Sequence, residues 1–164
     1  MKEVFPNPLE GVSWLDPILY PDDNYPTQAR FDLGKKLFYD QNLSLDRTIS
    51  CASCHKPELA FADNNAISPG VEGRLGFRNA PTLTNVAYQQ RLFADGGIPD
   101  LELQVLAPLE DHNEMGMNIL EAVKRIENDP TYIRLCQEAY GRTPDPYCIV
   151  RGIAAFERPL LSPP

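Results

Sequence analysis

The stretch Cys51-Ala52-Ser53-Cys54-His55 decides how this 164-residue chain is interpreted. Two cysteines separated by two residues and followed directly by a histidine form the attachment sequence of c-type haem. One helical turn brings both sulfur atoms to the same edge of the macrocycle, where each adds to a vinyl group. It also directs the imidazole of His55 towards the iron as the proximal ligand. The sequence therefore predicts one covalent haem c, held by Cys51, Cys54 and His55.

A Cys-x-x-Cys pair also occurs in thioredoxin-like redox proteins and in structural zinc sites. The redox motif opens the helix of a βαβ unit, and no strongly alternating strand flanks the pair here. A structural zinc ion needs four ligands. The remaining candidates, Cys136, Cys148 and His112, include no second closely spaced pair. Haem attachment is therefore favoured over both alternatives.

The composition is that of an acidic chain, with 15 basic against 23 acidic residues and a net charge of -8. This balance argues against nucleic acid as a partner. It is compatible with a basic redox-protein partner and equally with a plain solvated surface. The length fits one domain with a substantial core, and no apolar run is long enough to span a bilayer.

Residues 1–8 lack the apolar core of a signal peptide. Because haem is ordinarily attached to paired thiols outside the cytoplasm, we expect a periplasmic protein whose export signal has been removed. In such an oxidising compartment Cys136 and Cys148, twelve apart on two predicted helices, could form a disulfide. Two separate buried thiols are equally compatible with the sequence.

The first 26 residues carry five of the sixteen prolines and predict an extended arm that wraps the domain surface. Its predicted apolar anchors are Trp14, Leu15, Ile18 and Leu19. Residues 27–164 are then expected to form the haem domain. Leu43 and Leu45, just before the haem motif, are candidates to cover the haem edge.

Within the haem domain, apolar spacing and capping residues predict helices. The predicted ranges are 28–40 after a Thr27 cap, 101–106 after Asp100, 119–128 after Asn118, 131–140 before Gly141, and a final helix that begins at Pro146. Residues 56–100 are rich in glycine and proline and predict long functional loops, with at most a short helix near residues 84–88. The expected fold is all-α, with short helices packed around one haem.

A series of motifs in this order resembles the bacterial di-haem cytochrome c peroxidase family, which includes the MauG-like proteins. The motifs are Leu33-Gly34-Lys35-Lys36-Leu37-Phe38-Tyr39-Asp40, the haem sequence, Arg78-Asn79-Ala80-Pro81-Thr82, Asp95-Gly96, Leu101-Glu102-x-Gln104, Pro108, Glu114-Met115 and Ile153-Ala154-Ala155-Phe156-Glu157-Arg158. The resemblance covers about residues 27–161. It corresponds to the N-terminal, peroxidatic haem domain, since the second Cys-x-x-Cys-His domain of the family does not follow. We therefore expect a fragment, a truncated product or a single cloned domain.

The resemblance implies a cytochrome c-like fold and an oxidoreductase that reduces hydrogen peroxide to water. Electrons would come from a second haem domain or from a cytochrome or cupredoxin-type redox protein. The family's catalytic glutamine and glutamate map onto Gln104 and Glu114. A carboxylate can move a proton from one peroxide oxygen to the other, while an amide can hold the peroxide by a hydrogen bond. An isolated domain is expected to turn over poorly.

The position opposite His55 separates an enzyme from an electron carrier. Many family members place a histidine in the loop before Arg-Asn-x-Pro, but the corresponding residues 68–77 contain none, and Val71 stands in its place. We therefore expect a five-coordinate or water-bound haem with a high-spin spectrum. The rival distal ligands are His112, Met115 and Met117, any of which would give a six-coordinate electron-transfer cytochrome or an inactive haem-binding fragment.

Two further features follow from the resemblance alone. Asn79 resembles a ligand to a calcium ion that the family holds between its two domains; the alternative is an asparagine that fixes a loop beside Pro81. A homodimer is compatible with the family.

Overall fold

A computed structural model of the chain describes residues 16–89, 92, 97–98 and 100–162. The α-helices in these ranges are α1 (Gln28–Phe38), α2 (Cys51–Cys54), α3 (Leu101–Gln104), α4 (Leu106–Glu110), α5 (Ile119–Ile126), α6 (Pro130–Tyr140) and α7 (Pro146–Glu157). Short 3-10 helices cover Asp22–Asn24, Gln41–Leu43, Pro57–Leu59, Val71–Gly73 and Val86–Tyr88. Isolated β-bridges occur, but no strand forms within the described ranges. The prediction of an all-α fold is confirmed.

The helix ends follow the predicted capping residues. The Thr27 side chain accepts a hydrogen bond from the Arg30 amide (3.3 Å), so α1 begins where the sequence indicates, and it ends two residues early. Asn118 caps α5 through the Leu120 amide (2.9 Å). Gly141 ends α6 with φ of 67°, a left-handed conformation that glycine adopts without steric cost.

The segment predicted as one helix over residues 101–106 instead forms two short helices, α3 and α4. Pro108 lies in α4 and has no amide hydrogen, so it cannot donate to the carbonyl of Gln104 four residues earlier. This missing bond ends α3 at Gln104. A proline therefore places the predicted catalytic glutamine at a helix terminus, and α4 was missed by the sequence analysis.

The core lies between α1, α6 and α7, and α1 packs most extensively against α7. Leu33, Leu37 and Phe38 of α1 are completely buried in this core, and the ring of Phe156 of α7 packs against that of Phe38 in a tilted arrangement, 4.9 Å between ring centroids. The crossing is very close: a Cβ atom on Gly34 would lie 1.9 Å from the carbonyl oxygen of Gly152. Glycine at position 34 is therefore a requirement of the helix packing.

The described part of the N-terminal arm is held to the domain largely by residues other than the predicted anchors. Ile18 is buried as predicted, but Leu19 is 89% exposed, because successive side chains of an extended segment point in opposite directions. Trp14 and Leu15 lie outside the described residues. The anchor is instead polar: the Asn24 amide donates to Glu102 Oε1 (2.8 Å) and to the Arg151 carbonyl (3.0 Å).

The loops on either side of the haem motif are more structured than predicted. Of the two leucines expected to cover the haem edge, Leu43 is fully buried in the core and Leu45 is 43% exposed. In the described part of residues 56–100, three 3-10 helices form, whereas at most one short helix was predicted. None of the described helices combines the length and apolar character needed to cross a bilayer.

Candidate haem site

The haem motif forms one capped turn of helix, α2. The Ser50 side chain accepts a hydrogen bond from the Ser53 amide, and the Ser53 hydroxyl accepts one from the Ser50 amide (2.9 Å). Each serine side chain therefore pairs with the backbone N–H of the other. The His55 amide then donates to the Cys51 carbonyl (2.9 Å) and closes the turn. Cys51 and Cys54 both carry free thiols. The turn therefore brings Cys51, Cys54 and His55 together on one capped helical turn, as the motif predicts.

The imidazole of His55 is oriented by the backbone that follows it. The Lys56 amide donates to the Ala62 carbonyl (3.0 Å), and this tight turn, with Ala60 and Phe61 at positive φ, returns the Phe61 carbonyl to His55. His55 Nδ1 lies 2.9 Å from that carbonyl oxygen, which identifies Nδ1 as the protonated nitrogen. Burial lowers the pKa of His55 despite this bond, so the ring is neutral at pH 7. In this tautomer Nε2 carries the lone pair, as a metal-binding histidine requires.

A hydrogen-bond network built on Asp63 supports the same side of the turn. The Asp63 carboxylate accepts from Lys56 Nζ (2.7 Å) and from the Ser68 hydroxyl (2.7 Å). Burial alone would raise the pKa of Asp63, but these bonds outweigh it and hold the pKa far below its usual range. Ser68 also lies close enough to Cys54 to oppose in part the burial that raises the pKa of the Cys54 thiol. Asp63 therefore fixes the loop beside the haem-attachment cysteine, a role that no motif predicts.

Glu114 lies close to the haem-attachment turn. Burial is the main cause that raises the pKa of the Cys54 thiol, and the nearby carboxylates of Asp63 and Glu114 raise it further. Glu114 as a residue is exposed, but its carboxyl group is partly desolvated. This desolvation, together with the nearby negative charge of Asp111, raises the pKa of Glu114 above the usual glutamate value. A carboxyl group with a raised pKa binds and releases a proton nearer to neutral pH than an ordinary one.

The loop that carries Val71 is fastened to the backbone of the Glu114 segment. The Val71 amide donates to the Glu114 carbonyl (2.9 Å), and the Val71 side chain is completely buried. Gly70 permits this contact, because a Cβ atom there would lie 1.9 Å from the Asn113 carbonyl oxygen. The position where many relatives carry a histidine therefore holds an apolar side chain turned into the protein.

The three rival distal ligands each have contacts within the protein. Met115 (4% exposed) and Met117 (2% exposed) belong to the hydrophobic core. His112 is exposed, and its Nδ1 lies 3.0 Å from the Nη1 atom of Arg74, which also donates to the His112 carbonyl. These contacts favour the reading of both methionines as packing residues and of His112 as a surface residue.

Gln104 is placed by a buried ion pair that the sequence analysis did not identify. On the same short helix, Glu102 receives two hydrogen bonds from the Arg158 guanidinium, at 2.9 and 2.7 Å. Both side chains are less than a tenth exposed. The pair fastens α3 to the end of α7, so the half-buried Gln104 sits on a helix that is fixed at its other end. Glu102 and Arg158 are charged residues inside apolar runs, and this is the sequence feature that could have indicated a buried ion pair.

Asn79 fixes a loop in the described structure. Its amide donates to the carbonyls of Asn65 (2.5 Å) and Asp63 (3.4 Å). No cluster of three or more acidic, histidine or cysteine side chains suited to a metal occurs within the described ranges. The amide geometry fits the loop-fixing interpretation, and calcium binding through Asn79 Oδ1 stays a prediction.

Glu157 presents an unsatisfied carboxyl oxygen beside Cys51. It is 4% exposed, and its Oε2 atom has no hydrogen-bond partner among the described residues. Burial raises the pKa of Glu157 to about 8, against a partial opposing effect of Arg158. Its carboxyl group also raises the pKa of the Cys51 thiol, after burial itself, which places the two side chains near each other.

These residues fit a covalent haem c. Two free thiols lie on one turn, a neutral histidine carries a lone pair on its second nitrogen, and a buried carboxyl oxygen without a partner among the described residues lies beside the first attachment cysteine. Cys51 and Cys54 would bind the macrocycle and His55 its iron. The unpaired Glu157 oxygen is the observation that supports the haem interpretation from outside the motif.

The raised pKa of Glu157 predicts that stability falls with pH. The folded chain keeps a proton up to about pH 8, whereas a glutamate in the unfolded chain loses it near 4.5. Because the folded state binds more protons between these values, the unfolding free energy declines as pH rises through this interval, by up to about 4 kcal/mol. Urea unfolding of the haem-loaded protein at pH 5, 6.5 and 8 measures the decline.

Glu157→Gln is the matched control for this titration, because it keeps the shape and removes the proton equilibrium. Its unfolding free energy should vary less over the same interval. An equal pH dependence in the variant and the parent protein would show that Glu157 is ionised in the folded state.

Comparison with known proteins shows where this chain belongs. The family model described as di-haem cytochrome c peroxidase matches residues 28–164. The chain is 34% identical over 154 residues to the cytochrome-c peroxidase IdrP1 of Pseudomonas sp. strain SCT, covering 90% of this chain and 39% of that protein. It is 31% identical to the methylamine utilization protein MauG of Methylophilus methylotrophus, covering 94% of this chain and 47% of MauG.

The structural comparison agrees with the sequence comparison. A MauG-like protein associated with microbial copper homeostasis superposes with a TM-score of 0.85 at 34% identity, covering 92% of this chain and 45% of that one. The chain thus spans less than half the length of these relatives. On the family match and the shared fold, this chain belongs to the di-haem cytochrome c peroxidase family.

Proposed function

We propose that this chain is the peroxidatic haem domain of a periplasmic enzyme that reduces hydrogen peroxide to water. The observation that carries the proposal is the placement of Glu114 beside the haem-attachment turn, on a segment to which Val71, and no potential iron ligand, is fastened. A haem held by Cys51, Cys54 and His55 would have this acid–base group near it, and the loop that carries Val71 would offer it no ligand. The names of the relatives support the same activity.

The chemistry divides between the haem and the polypeptide. The bound haem supplies the iron and the electrons for cleavage of the O–O bond. His55 holds its proton on Nδ1 through the Phe61 carbonyl and so keeps Nε2 as the donor atom. Glu114, with its raised pKa, accepts the proton of one peroxide oxygen and returns it to the other. Gln104 holds the peroxide by its side-chain amide.

Electrons are proposed to come from a second haem domain or from a cytochrome or cupredoxin-type protein. The net charge of -8 favours a basic donor surface. A calcium ion at Asn79 and a homodimer are the remaining proposals that follow from family membership. The electron-carrier alternative is less well supported, because Met115 and Met117 are buried in the core and His112 is held by Arg74.

Peroxide reactivity tests the proposal. The ferric haem-loaded protein is expected to show a high-spin spectrum that changes rapidly on addition of one equivalent of hydrogen peroxide. Glu114→Gln should slow this change by about 100-fold or more, since acid–base catalysis by a positioned group contributes on that order. Stopped-flow absorbance measures the rate.

Glu121→Gln is the control, because Glu121 is an exposed α5 residue that pairs with Lys124, and its replacement should leave the rate unchanged. A low-spin spectrum that is indifferent to peroxide would contradict the proposal and favour the electron carrier. An unaltered rate in Glu114→Gln would remove Glu114 from the mechanism.

A further inference from the structure

Two thiols meet where α6 packs against α7. Cys136 and Cys148 are completely buried, and neither is part of a disulfide in the structure. Both belong to the same buried core cluster, and each is the largest influence on the pKa of the other. The Cys148 thiol donates to the Thr143 carbonyl at 3.7 Å. The haem site uses neither thiol, so their pairing needs a separate explanation.

We propose that Cys136 and Cys148 form an intramolecular disulfide that fastens α6 to α7 in the mature protein. The oxidant is a protein disulfide of an oxidising compartment. The thiolate of one cysteine attacks that disulfide and forms a mixed disulfide, and the second cysteine displaces the reduced oxidant. One S–S bond forms in this chain, one is broken in the oxidant, and the two thiol protons end on the oxidant's two thiols.

Haem attachment leaves one possible pair of cysteines for a disulfide within this chain. The chain has four cysteines, and the covalent haem converts Cys51 and Cys54 to thioethers. In the haem-loaded protein Cys136 and Cys148 are then the remaining thiols, each with the other as its neighbour. The two reactions use separate pairs and need no exchange between them.

Burial determines when the bond can form and how it behaves afterwards. Both sulfurs are enclosed once α6 and α7 have packed, so the oxidant must act before packing or during opening of the segment that joins the helices, residues 141–145. The same enclosure protects the finished disulfide from reductants in the folded protein. The cross-link constrains a short loop in the unfolded chain and thereby stabilises the fold.

Thiol counting tests the proposal. Haem-loaded protein, isolated from an oxidising compartment without reductant, is unfolded in guanidinium and treated with a thiol reagent. We expect no free thiol, and an intact mass lower by two hydrogens than after reduction. Two free thiols per chain would overturn the disulfide. Because the count does not depend on catalysis, such a protein could still react with peroxide, and the proposed function would stand.

Thermal unfolding provides an independent measurement. Reduction of the unfolded protein followed by refolding should lower the midpoint by roughly 5–10 °C, as expected for a disulfide that closes a short loop. The double variant Cys136→Ala/Cys148→Ala is the control and should be insensitive to reductant. An unchanged midpoint on reduction of the parent protein would contradict a stabilising cross-link.

Discussion

Replacement of Gly34 by alanine is expected to lower the unfolding free energy by about 3 kcal/mol or more. The new methyl group would lie 1.9 Å from the Gly152 carbonyl oxygen and 2.8 Å from Phe156 Cβ. Backbone cannot move aside as a flexible side chain can, so α1 and α7 must separate, and overpacking of a core on this scale is costly. Chemical denaturation of the haem-loaded protein measures the loss.

Helix propensity predicts the opposite sign, which makes the experiment decisive. Glycine to alanine inside a helix is favourable by up to about 1 kcal/mol when nothing obstructs the side chain. Gly152→Ala should show an intermediate effect, because its methyl group would meet only side-chain atoms of Leu37 and Leu33, at 3.0 to 3.3 Å. Gly76→Ala is the control, since nothing lies within 4 Å of its Cβ position. A stable Gly34→Ala protein would contradict the close crossing.

Removal of either partner of the Glu102–Arg158 pair is the second change with a large expected effect. Glu102→Ala leaves the Arg158 guanidinium buried without its carboxylate, and Arg158→Ala leaves Glu102 with only Asn24 as a donor. An uncompensated buried charge costs about 3–5 kcal/mol. Each single variant should therefore be destabilised by this amount in urea unfolding.

The double variant Glu102→Met/Arg158→Met separates the charge from the packing. Apolar residues of similar volume can replace a buried ion pair with little loss, so the double variant should be more stable than either single one. A double variant whose loss equals the sum of the two single losses would show that the residues act independently.

The same experiment connects stability with the site. Glu102 lies two residues before Gln104 on a helix of only four residues, and Arg158 follows α7. Glu102→Ala should therefore also slow the reaction with peroxide, in the fraction that remains folded, because α3 loses its attachment to α7. The neighbouring Glu157 lies beside Cys51. The end of α7 thus contacts both the haem-attachment turn and the helix that carries Gln104.

Local sequence predicted the elements whose signals are local. The five-residue haem motif, the Thr27 and Asn118 caps and the glycine that ends α6 each act within one or two turns, and the structure places them as expected. Pro108 also acts locally, because it cannot donate to the Gln104 carbonyl, yet the division of this segment into α3 and α4 was not predicted. The helical class followed from these signals and from the apolar spacing.

Contacts between distant residues were beyond the sequence. Leu19 was a predicted anchor, but the arm is held through Asn24, whose partners lie 78 and 127 residues away. Likewise, Glu157 and Arg158 belong to a recognised motif, but the motif does not reveal that one side chain is unpaired beside Cys51 while the other joins Glu102.

The sequence by itself determined the cofactor chemistry, the helical class and the family, because these depend on residue type and short spacing. Only the tertiary structure decided which polar groups are buried and what they meet. The neutral state of His55, the raised pKa of Glu114 and the contact of Cys136 with Cys148 all depend on desolvation and distance. Both quantities arise when α1, α6 and α7 pack, since packing removes water and brings together residues that are remote along the chain.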